Sequence, residues 1–453
     1  MNLTNCSKKI KNYVENKYSR LGLNKKNEIS RLLYEVSKKE KVDFKDILSD
    51  TDNSGNYHFK KIKKFLLKKR FPTYHNKIPM QRFYLPKLSI EEDTNAEIET
   101  ENFKLRPEKV YYEKGTEHSR VLHNIIKKYP GVKTEKVNRI KEIISGTEYG
   151  IKSYNRRKKT VIITKKRYDY YKSCPCTKGC LCCGYHIFNL GFGCPYECTY
   201  CYLQEYTNTP GIMLPADLEG YFKNFKNYMD SKSKIRMGSG EFTDSLVYDD
   251  ITGFSNDIIK FIKNYPEIIF EFKTKSTKID NLLDTPPPDN VVVSWSLNPQ
   301  VFINKNEIFT PTLDQRLAAA LKCVKKGYSV GFHFDPVVPF KGWEKEYAGV
   351  VGKMFSKVSK KNIAWLSLGT FRFARDLKKI IENRFPESDI LNGELVTGFD
   401  GKLRYPENLR VKVYRKLIKM LTSEKDCPYV YLCMENKKVW EICGLEPNWK
   451  WNR

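Results

Sequence analysis

The stretch Gly191-Phe-Gly-Cys-Pro-Tyr-Glu-Cys-Thr-Tyr-Cys-Tyr-Leu-Gln204 places three cysteines, Cys194, Cys198 and Cys201, in C-x3-C-x2-C spacing. It directly follows an apolar run, His186 to Gly191, that reads as a strand. Three thiolates on one turn of loop can hold three irons of a cubane cluster and leave the fourth iron open, whereas electron carriers close the cluster with four. The alternative is zinc, which takes four ligands, and Cys182 or Cys183 stands near enough in sequence to supply the last. The position of the motif, in a loop after a strand and followed by the aromatic Tyr202, favours the cluster.

Downstream of this loop the chain repeats a short apolar strand followed by a helix. Strands are expected at His186 to Gly191, Ile235 to Ser239, Ile268 to Lys273, Val291 to Ser296, Ser329 to Phe334 and Ile363 to Leu368. Helices are expected at Leu214 to Asp230, Asn256 to Asn264, Lys278 to Leu283, Leu313 to Lys326, Glu344 to Ser359 and Ala374 to Arg384. Six such units in series imply a parallel sheet curled into a partial barrel, with reactive groups at the carboxyl ends of its strands. Polar motifs fall there: Gly240-Glu241, Lys273 to Ser276, Ser294 to Asn298, His333 to Asp335 and Gly369 to Arg372.

Upstream, Val110 to Tyr112, Lys133 to Val137 and Thr160 to Thr164 read as strands, with helices at His118 to Tyr129 and Arg139 to Ser145. The fold class is therefore α/β: a partial (β/α)6 barrel over residues 184–385, preceded by a small α/β lead-in domain over 108–183 that ends in a Cys-rich segment. Residues 1–107 form a basic, mainly helical extension, with helical signals at Lys25 to Lys39 and Phe59 to Arg70 and an acidic linker at Glu91 to Glu101. Within it, Lys60 to Arg70 sets Ile62, Phe65, Leu66 and Leu67 among seven Lys and Arg. That pattern suits an ordinary surface helix, or one lying on a phosphate backbone. Residues 386–453 form a C-terminal segment for substrate or nucleic-acid contact.

The 453 residues carry 81 Lys and Arg against 53 Asp and Glu, a net charge of +28 that attracts polyanions, nucleic acid first among them. Drift in an A/T-biased genome accounts for the charge equally well. No apolar run approaches the ~18 residues of a membrane helix, and Met1 to Ser19 has no apolar stretch, so a cytoplasmic protein without a membrane partner is expected. Eight of the thirteen cysteines lie between Cys174 and Cys201, which in reducing cytosol points to metal or redox chemistry.

The three-cysteine motif resembles that of radical S-adenosylmethionine (radical SAM) enzymes. The longer pattern resembles the spore photoproduct lyase family, through Phe272-Lys-Thr-Lys-Ser276, Ser294-Trp-Ser-Leu-Asn298, Thr310 to Ala319, Gly327 to Pro336 and Gly369-Thr-Phe-Arg-Phe373. The resemblance runs from about Val110 to about Pro447. It implies a [4Fe-4S] cluster on Cys194, Cys198 and Cys201 whose open iron chelates S-adenosylmethionine. One-electron cleavage then yields a 5′-deoxyadenosyl radical that takes hydrogen from a substrate, a pyrimidine lesion in DNA, as in a carbon–carbon lyase of DNA repair. It also implies an electron donor such as ferredoxin or flavodoxin, and cofactor contacts from Gly240, Glu241, Lys275, Ser296 and Asn298. Tyr200 and Tyr202 match a tyrosine pair implicated in radical return, and Tyr202 equally suits an aromatic packing the adenine.

Two departures stand out. Spore photoproduct lyase returns hydrogen from a cysteine shortly after the second strand, but Tyr202 to Lys322 contains no cysteine, and the aligned position falls near Glu241. Cys433 is a substitute donor or simply a buried strand residue. The second departure is Cys174-Pro-Cys176-Thr-Lys-Gly-Cys180-Leu-Cys182-Cys183, five thiols that read as an auxiliary metal or cluster site, with a redox pair as the alternative. The spacing does not choose iron from zinc. Nucleic-acid contacts are expected from Arg372, Lys402 and Arg404, the last two flanking the Asp400-Gly401 turn. Two other readings stay open: a radical SAM enzyme acting on RNA or peptide, and an iron–sulfur nucleic-acid-binding protein without catalysis.

Overall fold

The structure is a computed structural model and describes residues 3–48, 58–90, 106–147, 149–151, 153–165, 169–176, 179–229, 235–423 and 426–446. The acidic linker at Glu91 to Glu101 lies outside the described residues. The chain divides into two compact units, residues 98–370 with 411–453, and residues 1–97 with 371–410. This division cuts across the expected boundaries at 107 and 385. No described helix is long and apolar enough to cross a membrane.

The larger unit is built on one eight-stranded sheet. Its strands are β1 (Tyr171–Ser173), β2 (Tyr185–Phe188), β3 (Ile235–Gly238), β4 (Ile268–Thr274), β5 (Val291–Ser296), β6 (Ser329–Val337), β7 (Ile363–Thr370) and β8 (Tyr429–Leu432). They lie side by side in chain order, every neighbouring pair parallel except β1 and β2. The six expected strands are β2 to β7. Two more extend the sheet: β8, parallel to β7, and β1, which folds back on β2 as an antiparallel edge. β1 and β8 do not pair, so the barrel stays partial. Every residue of β5 is buried, as expected for a parallel strand covered on both faces, and this is why the apolar run Val291 to Val293 reads so clearly. Helix Leu313–Lys326 matches its expected bounds because its ends are written locally. Thr312 and Gln315 form a capping box, and Gly327 takes φ +108 at the C-terminus.

Side chains of β3, β4, β6, β7 and β8 meet inside the sheet in a buried polar layer. Arg236 pairs with Glu271 at 2.6 Å and donates to the Tyr431 hydroxyl at 2.8 Å. His333 Nε2 lies 2.7 Å from the same carboxylate, and Trp365 Nε1 donates to it at 3.2 Å. Burial and nearby Lys273 hold the His333 imidazole down to about 4 against the pull of Glu271, so it is neutral at pH 7 and donates from Nε2.

The lead-in sheet has four parallel strands in the order Lys133–Val137, Lys109–Glu113, Thr160–Thr164, Ile212–Pro215. The last corrects the expected helix from Leu214: its first residues join the edge of this sheet, and the helix begins only at Glu219. The cause is tertiary. Val161 to Thr164 offers a free ladder to the apolar run Ile212 to Leu214.

In the smaller unit, helices Leu3–Lys17, Leu23–Glu40 and Phe59–Arg70 bury one core with Phe83, Leu88 and Val396. Ile62, Leu66 and Leu67 of the lysine-rich helix enter that core while Lys60, Lys61, Lys64 and Lys68 stay exposed. Residues 371–410 belong here because of buried charge. Glu35 accepts from Arg70 at 2.7 Å and pairs with Lys378 at 3.0 Å; Glu382 pairs with Arg31 at 2.7 Å and Lys378 at 3.1 Å. Arg70 also donates to the carbonyls of Leu391, Asn392 and Gly393.

Burial opposes ionisation of Glu35, but Lys378, Arg70 and Arg31 bring its carboxyl from 4.5 to about 2. A lowered carboxyl stabilises the fold in full above its unfolded value and loses that contribution as pH falls through the folded one, here from about 4.5 to about 2. The shift corresponds to about 3 kcal/mol. Thermal unfolding followed by circular dichroism should therefore show the wild type losing stability across that window more steeply than Glu35→Gln, which starts lower at pH 7. Parallel profiles would contradict the assignment.

Candidate active site at the carboxyl ends of the strands

The expected cofactor residues come together at one edge of the larger unit. Cys194 to Cys201 follow β2, Gly240 and Glu241 follow β3, Lys275 follows β4, Ser296 ends β5, and Asn298 lies two residues beyond it. This is the edge where parallel α/β sheets place their reactive groups.

The cysteine loop is held rigid by backbone and buried side chains. Gly191 takes φ +135, and a Cβ there would stand 2.3 Å from the Met213 carbonyl, so only glycine admits the pairing of Phe192 with Met213. Gln204 Nε2 donates to the carbonyls of Cys198, Thr199 and Cys201 at 3.1–3.2 Å, drawing the loop around its amide. Lys158, from the lead-in helix Tyr154–Lys158, donates to the Tyr196 carbonyl at 2.8 Å and pairs with Glu197 at 2.7 Å. Glu197–Cys198 forms a two-residue antiparallel ladder with Glu307–Ile308, setting Cys198 opposite Glu307.

Glu307 is the hub of the floor beneath the loop. Its carboxylate is fully buried and accepts from the Tyr200 hydroxyl, from Asn298 Nδ2 at 2.8 Å and from Arg316 at 2.6 Å. Arg316 continues to the Ser296 carbonyl at 2.9 Å, and Asn298 accepts from the Tyr347 hydroxyl at 2.8 Å. Burial works against the Glu307 charge, but Arg316, then Lys275, with hydrogen bonds from Tyr200 and Asn298, brings its carboxyl to about 2. Burial likewise opposes the Lys275 charge, but Glu307, with Cys198 and Asp244 adding to it, outweighs burial, so the ammonium stays charged. Lys275 Nζ lies 5.8 Å from the Tyr200 ring centroid.

The three thiols lie in one another's electrostatic field. Burial pushes Cys194 up to about 12, with Asp244 adding to the rise, and pushes Cys198 well above the ordinary thiol value against the pull of Lys275. Cys201 is raised by burial against the Leu203 amide and Lys158. A thiol that burial keeps protonated becomes a thiolate when a metal supplies the counter-charge, so this donor set fits a thiophilic centre. Among the described residues no three Cys, His, Asp or Glu side chains already close on a single point.

The structure separates the two tyrosines. Tyr200 is locked to Glu307, while Tyr202 is 38% exposed and donates to the Glu241 carbonyl. The Glu241 carboxylate faces Lys172 of β1 at 2.7 Å, and Lys172 also covers the Phe242 ring at 4.2 Å. Asp244 ties the ends of β3 and β4 together, accepting from the Thr274 hydroxyl, from Lys275 N at 2.6 Å and from Leu246 N and Val247 N at 3.1 Å.

The nucleic-acid candidates lie in the smaller unit. Arg372 and Arg404 are cross-strand partners in a three-stranded antiparallel sheet with Val396–Thr397, and Lys402 N caps on Asp400 at 3.3 Å. Arg404 is 1% exposed and ion-paired to Asp400, which corrects its expected place on a surface: Asp400 draws the guanidinium inward under Phe399, 4.8 Å from the ring centroid. Cys433 follows β8, and its amide donates to the Leu368 carbonyl at 2.7 Å.

Sequence reasoning missed Lys158, Lys172, Gln204, Asp244, Glu307 and Arg316. Gln204 and Arg316 stand inside stretches that carried the family pattern. The other four had no signal beyond charge, because each acts through a partner on a distant segment.

A family model described as spore photoproduct lyase matches residues 98–397. The spore photoproduct lyase of Geobacillus sp. (strain Y412MC61) is 27% identical over 259 residues, 56% of this chain and 73% of that protein. That of Bacillus subtilis (strain 168) is 25% identical over 246 residues, 53% and 70% of the two chains. A solved spore photoproduct lyase mutant with bound AdoMet and dinucleoside spore photoproduct superposes with a TM-score of 0.63 at 23% identity, covering 73% of this chain and all of that one. With two thirds of its length matched by the family model and its cysteine loop at the carboxyl edge of a partial barrel, the chain belongs to the spore photoproduct lyase family.

Proposed function

We propose that the chain is a radical SAM enzyme that acts on a pyrimidine lesion in DNA. The observation that carries the reading is the loop of Cys194, Cys198 and Cys201, three thiols on one loop held at the carboxyl ends of the strands opposite Glu307, with Lys275 acting on Cys198. When bound, a [4Fe-4S] cluster on these sulfurs, with S-adenosylmethionine at its open iron, supplies one-electron cleavage to a 5′-deoxyadenosyl radical that takes hydrogen from substrate. Gly240 and Glu241 receive the methionyl ammonium, and Lys172 orients the Glu241 carboxylate for it. Lys275, Ser296 and Asn298 bind the rest of the cofactor, on the rigid base that Glu307 and Arg316 provide.

Tyr202 lines the open side and gives its hydroxyl hydrogen to the product radical; the tyrosyl radical left behind takes one electron from the ferredoxin- or flavodoxin-class donor and one proton from solvent. The Tyr202 hydroxyl is bonded to the Glu241 carbonyl, near the position that matches the family's donor cysteine, and this chain has no cysteine from Tyr202 to Lys322. Tyr200 positions the loop. The net charge of +28 supports a polyanionic substrate, and a ferredoxin or flavodoxin is the fitting electron source. The relatives' names, and the dinucleoside held by one of them, support a thymine lesion.

The test is anaerobic incubation of reconstituted protein with S-adenosylmethionine, reductant and ultraviolet-irradiated thymine-rich oligonucleotide. Restored thymine is expected, together with 5′-deoxyadenosine. Tyr202→Phe should keep cofactor cleavage and lower thymine recovery by about tenfold. Brisk cofactor cleavage that leaves the lesion untouched would move the substrate to RNA or peptide, the reading that the missing donor cysteine favours.

A further inference from the structure

The strands β1 and β2 form a hairpin whose base is extended by the Cys174 amide donating to the Tyr185 carbonyl at 2.9 Å. The connection between them carries five cysteines, four half-buried and Cys182 exposed. A cysteine used as a small core residue is buried singly, and these are not. Cys174 Sγ stands 3.7 Å from Cys176 Sγ, and the Cys182 thiol is within hydrogen-bonding range of Cys176. Backbone amides point at the sulfurs: that of Cys183 at Cys176, those of Gly184 and Tyr185 at Cys182. Gly179 and Gly184 take φ +87 and +64, the turns that aim amides inward. N–H donors around clustered sulfurs are the outer partners that tune metal-bound thiolates.

We propose that this hairpin loop is a structural zinc site, with Cys174, Cys176 and Cys182 as ligands and Cys180 or Cys183 as the fourth. Zinc–sulfur bonds of about 2.3 Å in a tetrahedron put neighbouring sulfurs about 3.8 Å apart, the separation that Cys174 and Cys176 already have. A cubane cluster instead gives each thiolate its own iron and holds the sulfurs farther apart. Among the described residues no three of these thiols already meet at one point, so Cys182 and the fourth thiol move in when zinc binds. The zinc then staples the hairpin that lines the cofactor edge: Lys172 of β1 reaches Glu241, and the Tyr185 hydroxyl of β2 stands 2.1 Å from where a Cβ on Gly238 would lie. Leu181 N, bonded to the Glu435 carbonyl at 2.8 Å, ties the loop to the segment after β8.

The test is independent of the radical SAM reading, because the triple variant Cys194→Ala/Cys198→Ala/Cys201→Ala removes the thiols on which that reading rests. Full-length protein of this variant, purified without oxygen from cells supplied with both metals, should be colourless and hold about one zinc per chain. Adding Cys176→Ser should remove the zinc, and adding Cys176→His in its place should retain it. Cobalt substitution of the otherwise native chain should give tetrahedral thiolate absorption that falls by the share of one site with Cys176→Ser, which covers the case of a triple variant that does not fold. A brown triple variant with iron, or a metal-free one with Cys174 and Cys176 recovered as a disulfide, would overturn the proposal.

Discussion

Cys198→Ala should reduce the iron of the reconstituted protein from about four per chain to well below one, and 5′-deoxyadenosine formation to background. Cys198 is the middle thiol of the loop, 7% exposed and fixed opposite Glu307 by the two-residue ladder. With only Cys194 and Cys201 left, one of the three cluster corners has no protein ligand, and the centre is lost with the chemistry it supplies. Alanine is smaller than the thiol and keeps the same backbone preferences, so circular dichroism should be unchanged and the loss chemical. Iron analysis and product chromatography on the same anaerobic sample decide the matter. A variant that keeps four irons would place the cluster elsewhere.

Glu307→Gln should destabilise the chain by about 3–5 kcal/mol, the usual consequence of leaving one member of a buried pair without its partner. Glu307 and Arg316 both have fully buried side chains, and Lys275 also depends on this carboxylate for its charge. The amide still accepts from Tyr200 or Asn298 but brings no negative charge. Denaturant unfolding measures the loss, and the partner variant supplies the control. Replacing both residues, Glu307→Gln with Arg316→Met, should recover part of it, because the stranded guanidinium is gone. An unchanged midpoint in the single variant would mean that water or another group already satisfies Arg316.

What could be read from sequence follows from how locally each feature is determined. Val291–Ser296 and Thr160–Thr164 carry their own apolar runs, and Leu313–Lys326 carries both caps, so their bounds are visible in the residues themselves. Ile212–Pro215 is a strand only because Thr160–Thr164 stands beside it. Tyr171–Ser173 has three residues, too few for a period, and Tyr429–Leu432 comes after the regular alternation has broken. Residues 371–410 join the smaller unit through pairs such as Arg31 with Glu382, 351 positions apart, which no window of sequence spans.

The site divides in the same way. The cysteines and strand-end polar residues are legible because their chemistry demands a spacing. The residues that hold them are not, since Glu307 meets Tyr200 across 107 positions and Lys172 meets Glu241 from another strand. Gln204 was closest to being seen: a buried amide two residues after the aromatic of the motif has a loop of carbonyls to satisfy.

Electron paramagnetic resonance of the reduced, reconstituted chain, recorded with and without S-adenosylmethionine, tests whether the loop of Cys194, Cys198 and Cys201 holds a cluster with one corner open to the cofactor. A reduced-cluster signal is expected that changes shape when the cofactor is added and disappears in Cys198→Ala. A signal indifferent to S-adenosylmethionine, or a silent protein with zinc on those three sulfurs, would contradict it.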